Sequence, residues 1–195
     1  MLDILSHQIT TWEKDNLHPL LPILINTHRI PHVIFLRGIS GSGKTTLCNS
    51  LSHLLGIEKV VSISADNYFI KNGIYKFQMS EISEAHRSCI ISMENALESS
   101  EFPYIIMDNT HTRLWHLTKA EEIAEKYGAK IFYLDIIVPD HTDFLVCLKR
   151  QRHNVPEEVL LEQWVNWEKN PKSMLIPMFN PQTPHSPVRS QTASN

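Results

Sequence analysis

Apolar positions recur at two periods along the chain, and the two periods alternate. Residues 32–36 form a short apolar run that ends just before Gly38, which predicts a first strand. Leu47, Leu51, Leu54 and Leu55 then fall on one face of a helix. Residues 60–64 read as a second strand. Ile82, Ala85, Cys89, Met93 and Leu97 read as a second helical stripe, with Ser80 and Ser83 as start signals. Residues 104–107 predict a third strand. Leu117, Ala120, Ala124 and Tyr127 make a third stripe, stopped by Gly128, and residues 130–138 predict a fourth strand. A helix is expected over 142–150, with Asp143 near its start. Pro156, Glu157 and Glu158 open one more, because proline suits the first helical position and acids suit the first turn. Val159, Leu160, Trp164 and Trp167 supply its buried side. This alternation predicts an α/β domain, a parallel sheet covered by helices on both faces.

The two ends differ from this pattern. Leu2, Leu5, Ile9 and Trp12 recur at helical spacing, so residues 1–30 read as a helical leader that packs on the main domain or docks a partner. The domain proper is expected over 31–170. The prolines of 171–195, set among Ser, Thr, Asn and Gln, predict a flexible tail.

Composition narrows the function classes. The 195 residues suffice for one well-buried domain, and a net charge of −3 argues against a broad basic surface for duplex nucleic acid. Three cysteines far apart give neither a disulfide framework nor a zinc site, and eleven histidines show no metal-binding spacing. No stretch reads as a secretory signal or a membrane span, so the expectation is a protein of the cytoplasm or nucleus, with no membrane partner.

The strongest chemical signal is Gly38-Ile39-Ser40-Gly41-Ser42-Gly43-Lys44-Thr45, placed between a predicted strand and a predicted helix. Glycines let successive backbone N–H groups turn inward toward phosphate oxygens, and the following helix adds its positive end. The nucleotide-contacting set is expected to be Gly38, Ser40, Gly41, Ser42, Gly43, Lys44, Thr45 and Thr46. Lys44 would reach the β- and γ-phosphates of ATP, and the Thr45 hydroxyl would ligate Mg²⁺. Two acids follow predicted strands at the carboxyl edge, where parallel sheets bind ligands. Asp66 fits either a carboxylate that takes the proton from an acceptor hydroxyl or a turn cap. Asp108 fits a Mg²⁺ site reached through water, an acid that orients the loop Asn109-Thr110-His111, or a turn that ends its strand. The basic run 149–156 fits either a lid whose arginine closes over the phosphates or a solvated helix end.

Four segments in order, GISGSGKTT, SADNYF, IIMDNTHT and KRQRHNVP, resemble the polynucleotide 5′-kinase group of P-loop kinases, and most closely its Nedd-binding-protein-like branch. The resemblance runs from about residue 31 to residue 167 and implies a P-loop NTPase fold with a basic helical lid. It implies catalytic roles for Lys44, for Asp66 as the acid that activates a 5′-hydroxyl, and for Arg150 as the lid arginine on the transferring phosphate. Thr45 is implied at the metal, and Asp108 is implied as an active-site acid. It further implies ATP and Mg²⁺ as cofactors and the 5′ end of a single-stranded nucleic acid as partner. Phage-type members carry an arginine three residues after the acid. This chain has Phe69 there, so a base is expected to stack on Phe69 or Tyr68, or Phe69 belongs to the core. The function expected is therefore transfer of the γ-phosphoryl of ATP to a polynucleotide 5′-hydroxyl. A small-metabolite or nucleotide-sugar kinase and a non-enzymatic ATP-binding adaptor are the alternatives.

Overall fold

A computed structural model describes residues 11–25, 30–151 and 153–178. Five strands form one parallel sheet: β1 (His32–Arg37), β2 (Val60–Ile63), β5 (Tyr104–Asp108), β6 (Lys130–Ile137) and β7 (Met174–Pro177), in the order β2-β5-β1-β6-β7. A two-stranded hairpin, β3 (Ile70–Lys71) and β4 (Ile74–Tyr75), stands apart from it. The helices are α1 (Thr11–Asn16), α2 (Leu21–Ile25), α3 (Lys44–Leu55), α4 (Ala65–Tyr68), α5 (Ile82–Ser99), α6 (Thr118–Lys126), α7 (His141–Arg150) and α8 (Glu157–Val165).

The central strand explains the layering. All six residues of β1 are buried, and alternate side chains point to opposite faces. Ile34 and Leu36 join a core with Leu47 and Leu51 of α3 and with Trp12, Leu17, Leu20 and Leu24 of the leader. Val33 and Phe35 join another with Cys89 and Met93 of α5 and with Ala120 and Ile123 of α6. A third, smaller cluster of Ile39, Phe144, Cys147 and Leu160 lies under the glycine-rich loop, tying it to α7 and α8. The predicted strands and helices between 32 and 165 are all present. Neither Ser80 nor Ser83 caps α5, which follows a 3₁₀ turn over Met79–Glu81.

Two differences matter. The sequence gives no strand beyond 170, yet β7 pairs in parallel with β6, from Leu134 with Met174 to Ile137 with Pro177. Proline is tolerated there because β7 is an edge strand. Residues 174–177 therefore belong to the sheet, and the expected tail beyond residue 178 lies outside the described residues. Of the leader stripe, Leu2, Leu5 and Ile9 also lie outside them, while Trp12 is buried against the main core.

One buried ion pair braces the sheet. Arg37 at the end of β1 sits opposite Asp135 of β6, with Nη1 at 2.6 Å from Oδ2 and both side chains out of solvent. Arg37 also donates to the carbonyls of His111 and Glu168, and its guanidinium lies over the Trp167 ring. Ser173 donates to the other Asp135 oxygen at 2.7 Å. Removing one member leaves the other charge buried without its ion-pair partner, which costs about 3–5 kcal/mol. We expect Asp135→Ala to lower the urea unfolding free energy by roughly that amount. A loss below about 1 kcal/mol, the range of exposed pairs, would contradict the bracing role.

Candidate phosphoryl-transfer site

The site is built at the carboxyl ends of β1, β5 and β2. The crossover connections run to opposite sides of β1, with β5 and β2 on one side and β6 on the other, and parallel sheets open a crevice at such a point. The loop after Gly38 fills it. Gly41 has a positive φ of 77°, and a Cβ there would run into the Cys147 carbonyl of α7. The loop can therefore lie against α7 only without a side chain at that position. Gly43, with φ at 106°, turns the chain into α3. Lys44 opens that helix and folds back so that Nζ donates to the carbonyls of Gly38 and Ile39 at 2.9 and 3.0 Å. Burial pulls the Lys44 ammonium below its ordinary range, while Asp108 and Asp66 act in the opposite direction.

Register places the second acid. Leu36 of β1 pairs with Asp108 of β5, which brings the carboxylate beside the first turn of α3. Thr45 Oγ1 donates to Asp108 Oδ2 at 2.9 Å. Burial pushes the Asp108 carboxyl up, opposed by Lys44 and by the Thr45 bond. A hydroxyl and a carboxylate, both hard oxygen donors next to a phosphate cradle, suit Mg²⁺. Among the described residues, no group of three or more His, Cys, Asp or Glu is gathered for a metal, so this pair is the candidate.

Asp66 lies on α4, whose start is fixed twice. Ser64 caps it by accepting from the Asp66 N–H at 3.3 Å, and the Ala65 N–H donates to Asn109 Oδ1 at 2.9 Å. Asn109 follows Asp108 directly, so one loop sets the positions of both acids. Two groups grip the Asp66 carboxylate. Tyr75 of the hairpin donates its hydroxyl to Oδ1 at 3.2 Å, and His153 Nε2 lies 3.4 Å from Oδ2. The Tyr75 and His153 rings meet with centroids 4.3 Å apart. Burial and the carboxylate push the Tyr75 phenol up to about 12, so it stays protonated and donates. The Asp66 side chain is 51% exposed, so the carboxylate is open to solvent.

The other expected residues divide. Ser40 spends its N–H on Gln163 Oε1 of α8 at 2.9 Å. The Ser42 side chain is buried beneath Gly38, where it would touch any Cβ, and its N–H donates to the Ile39 carbonyl. Thr46 is exposed on the first turn of α3. Arg150 ends α7, the helix whose Cys147 abuts Gly41, and it is half-buried. Phe69 is only 1% exposed and contacts the rings of Tyr68, Tyr75 and Phe77, so it is a core residue and offers no stacking face. Sequence reasoning did not single out Arg37, Tyr75, Gln163 or the role of His153. For Arg37 a signal existed: it and Asp135 are opposite charges in two apolar strands. Tyr75 and Gln163 carry no such mark.

Human NEDD4-binding protein 2 is 32% identical over 101 residues, which is 52% of this chain and 6% of that protein. Human YLP motif-containing protein 1 is 23% identical over 164 residues, 73% of this chain and 8% of that protein. The chain thus spans a small fraction of the curated relatives it matches. A chain in the structure of the Pnkp1/Rnl/Hen1 RNA repair complex superimposes with a TM-score of 0.58 at 20% identity, over 73% of this chain and 45% of that one. A gluconokinase from Sinorhizobium meliloti gives 0.52 at 14% identity, over 78% and 86%. These likenesses are of fold. The model of the AAA domain family AAA_33 matches residues 33–170, and the chain belongs to this family of P-loop kinase domains.

Proposed function

We propose that this domain transfers the γ-phosphoryl group of ATP to the 5′-hydroxyl of a polynucleotide. The observation that carries the reading is Asp66, a half-open carboxylate tied through Asn109 to the same loop as the Thr45–Asp108 pair. In this reading the loop N–H groups and Lys44 hold the triphosphate, the carbonyls of Gly38 and Ile39 giving up Nζ to the phosphates. Thr45 and Asp108 would hold Mg²⁺, which offsets phosphate charge.

Asp66 accepts the proton of the acceptor hydroxyl as its oxygen bonds to the γ-phosphorus and the bond to the β-γ bridging oxygen breaks. ADP leaves with that bridging oxygen. Tyr75 and His153 already hydrogen-bond or face the carboxylate, so an acceptor hydroxyl takes the place of one of them and is oriented by the other. Arg150, at the end of a helix seated on the loop, would meet the charge that spreads onto the transferring group. The half-exposed carboxylate favours a polymer end over a metabolite sealed from solvent. A small-metabolite kinase remains the second reading, favoured by Phe69 in the core where phage-type kinases have an arginine, and by the gluconokinase-like fold.

Label transfer from γ-labelled ATP separates the readings. We expect transfer to a 5′-hydroxyl oligonucleotide, and Asp66→Asn to lower kcat by about 10²- to 10⁴-fold with little change in ATP affinity. Transfer to a sugar or polyol but to no oligonucleotide would favour the second reading. Arg150→Ala is expected to lower kcat by about 10³-fold or more, the scale of a charge-stabilising arginine. A change in KM alone would remove it from the reacting centre.

A further inference from the structure

A groove of about 250 Å³ lies between the segment that follows Asp108 and helix α8. It is lined by Arg113, Trp115, His116, Gln163 and Asn166, none of which the phosphoryl-transfer reading uses. Trp115 is 71% exposed. An indole of this size left in water carries an unusual desolvation reward for whatever covers it.

The indole is not loosely held. It lies within a 3₁₀ turn over Leu114–His116, and the His116 ring supports it edge-on with centroids 4.1 Å apart. The Arg113 N–H donates to His116 Nδ1 at 3.4 Å. Glu168 fastens the turn, accepting from the Leu114 N–H at 2.8 Å and pairing with Arg113 at 3.0 Å. A preset aromatic face loses little entropy on binding.

The groove is also tied to the phosphate loop. Gln163, which lines the groove, accepts from the Ser40 N–H of the phosphate loop through Oε1, which leaves its Nε2 outside that bond. On the other side, the chain from Asp108 and Asn109 runs directly into Thr112 and Arg113, and Asn109 holds the helix of Asp66.

Resting on the polynucleotide reading, we propose that this groove is an acceptor subsite in which a nucleobase of the single-stranded substrate stacks on Trp115 and meets the amides of Gln163 and Asn166. Stacking tolerates any base, because every base has a π-face. Glu162 lines the groove and Glu168 already neutralises Arg113, so the subsite takes a base rather than a phosphate. It replaces the stacking function that the buried Phe69 cannot serve.

The test uses the full chain, Mg²⁺ with a non-hydrolysable ATP analogue, and a fluorescent 5′-hydroxyl oligothymidylate read by anisotropy, alongside label transfer from ATP. Trp115→Ala is expected to raise both the oligonucleotide Kd and its KM about tenfold, with the KM for ATP unchanged, and Trp115→Phe to restore most of the loss. The effect should persist as salt is raised, unlike a phosphate contact. If the wild type phosphorylates the oligonucleotide and Trp115→Ala matches it in Kd and KM, the subsite is refuted and the kinase reading stands. Trp115-dependent binding without transfer would sustain the subsite and refute the transfer reading. Neither binding nor transfer by the wild type would refute both.

Discussion

The parallel register between β1 and β5 is the constraint on which the site depends. Leu36 opposite Asp108 puts the last residue of one strand beside the loop that leaves the other. Because side chains alternate across a sheet, a slip of one residue would turn Asp108 to the opposite face and bury Ile106 and Met107 in the wrong layers. The apolar alternation that fills the two cores therefore also fixes a carboxylate against Thr45. Packing and site geometry have one cause here.

Around this register the protein spends polar groups to hold the loops. Arg37 closes β1 immediately before the glycine-rich loop and fastens three separate segments: β6 through Asp135, the loop after β5 through His111, and the stretch after α8 through Glu168 and Trp167. A buried ion pair contributes little net stability over an apolar substitute, but it penalises any arrangement in which one partner is missing. That suits a site whose parts come from distant positions in sequence. Asn109 performs a similar office without charge, coupling the acid on β5 to the helix of Asp66 through one hydrogen bond.

Much of this was legible from sequence, for physical reasons. The strands of an enclosed parallel sheet are apolar runs, and the longer helices carry one-sided stripes, so the main-sheet strands and long helices between His32 and Val165 announce themselves. The phosphate loop is legible because glycine is needed where φ is positive and where α7 presses on Gly41. The hairpin at Ile70–Tyr75 is not, since its strands have two residues each and its exposed isoleucines mark no buried face. Strand β7 hides in a proline-rich stretch because its place is set by the edge of β6, not by its own composition. The grip of Tyr75 and His153 on Asp66 needs the unmarked hairpin to fold Tyr75 back and brings in His153 from a distant part of the chain, and only the fold assembles them.

The proposed chemistry turns on whether the Asp66 carboxylate exchanges these partners for an acceptor. A crystal structure with Mg²⁺, a non-hydrolysable ATP analogue and a 5′-hydroxyl oligonucleotide measures that directly. The expected result is the 5′ oxygen within about 2.6–3.2 Å of an Asp66 oxygen and facing the γ-phosphorus on the side away from ADP. An acceptor bound elsewhere, with Asp66 still held by Tyr75 and His153, would contradict it.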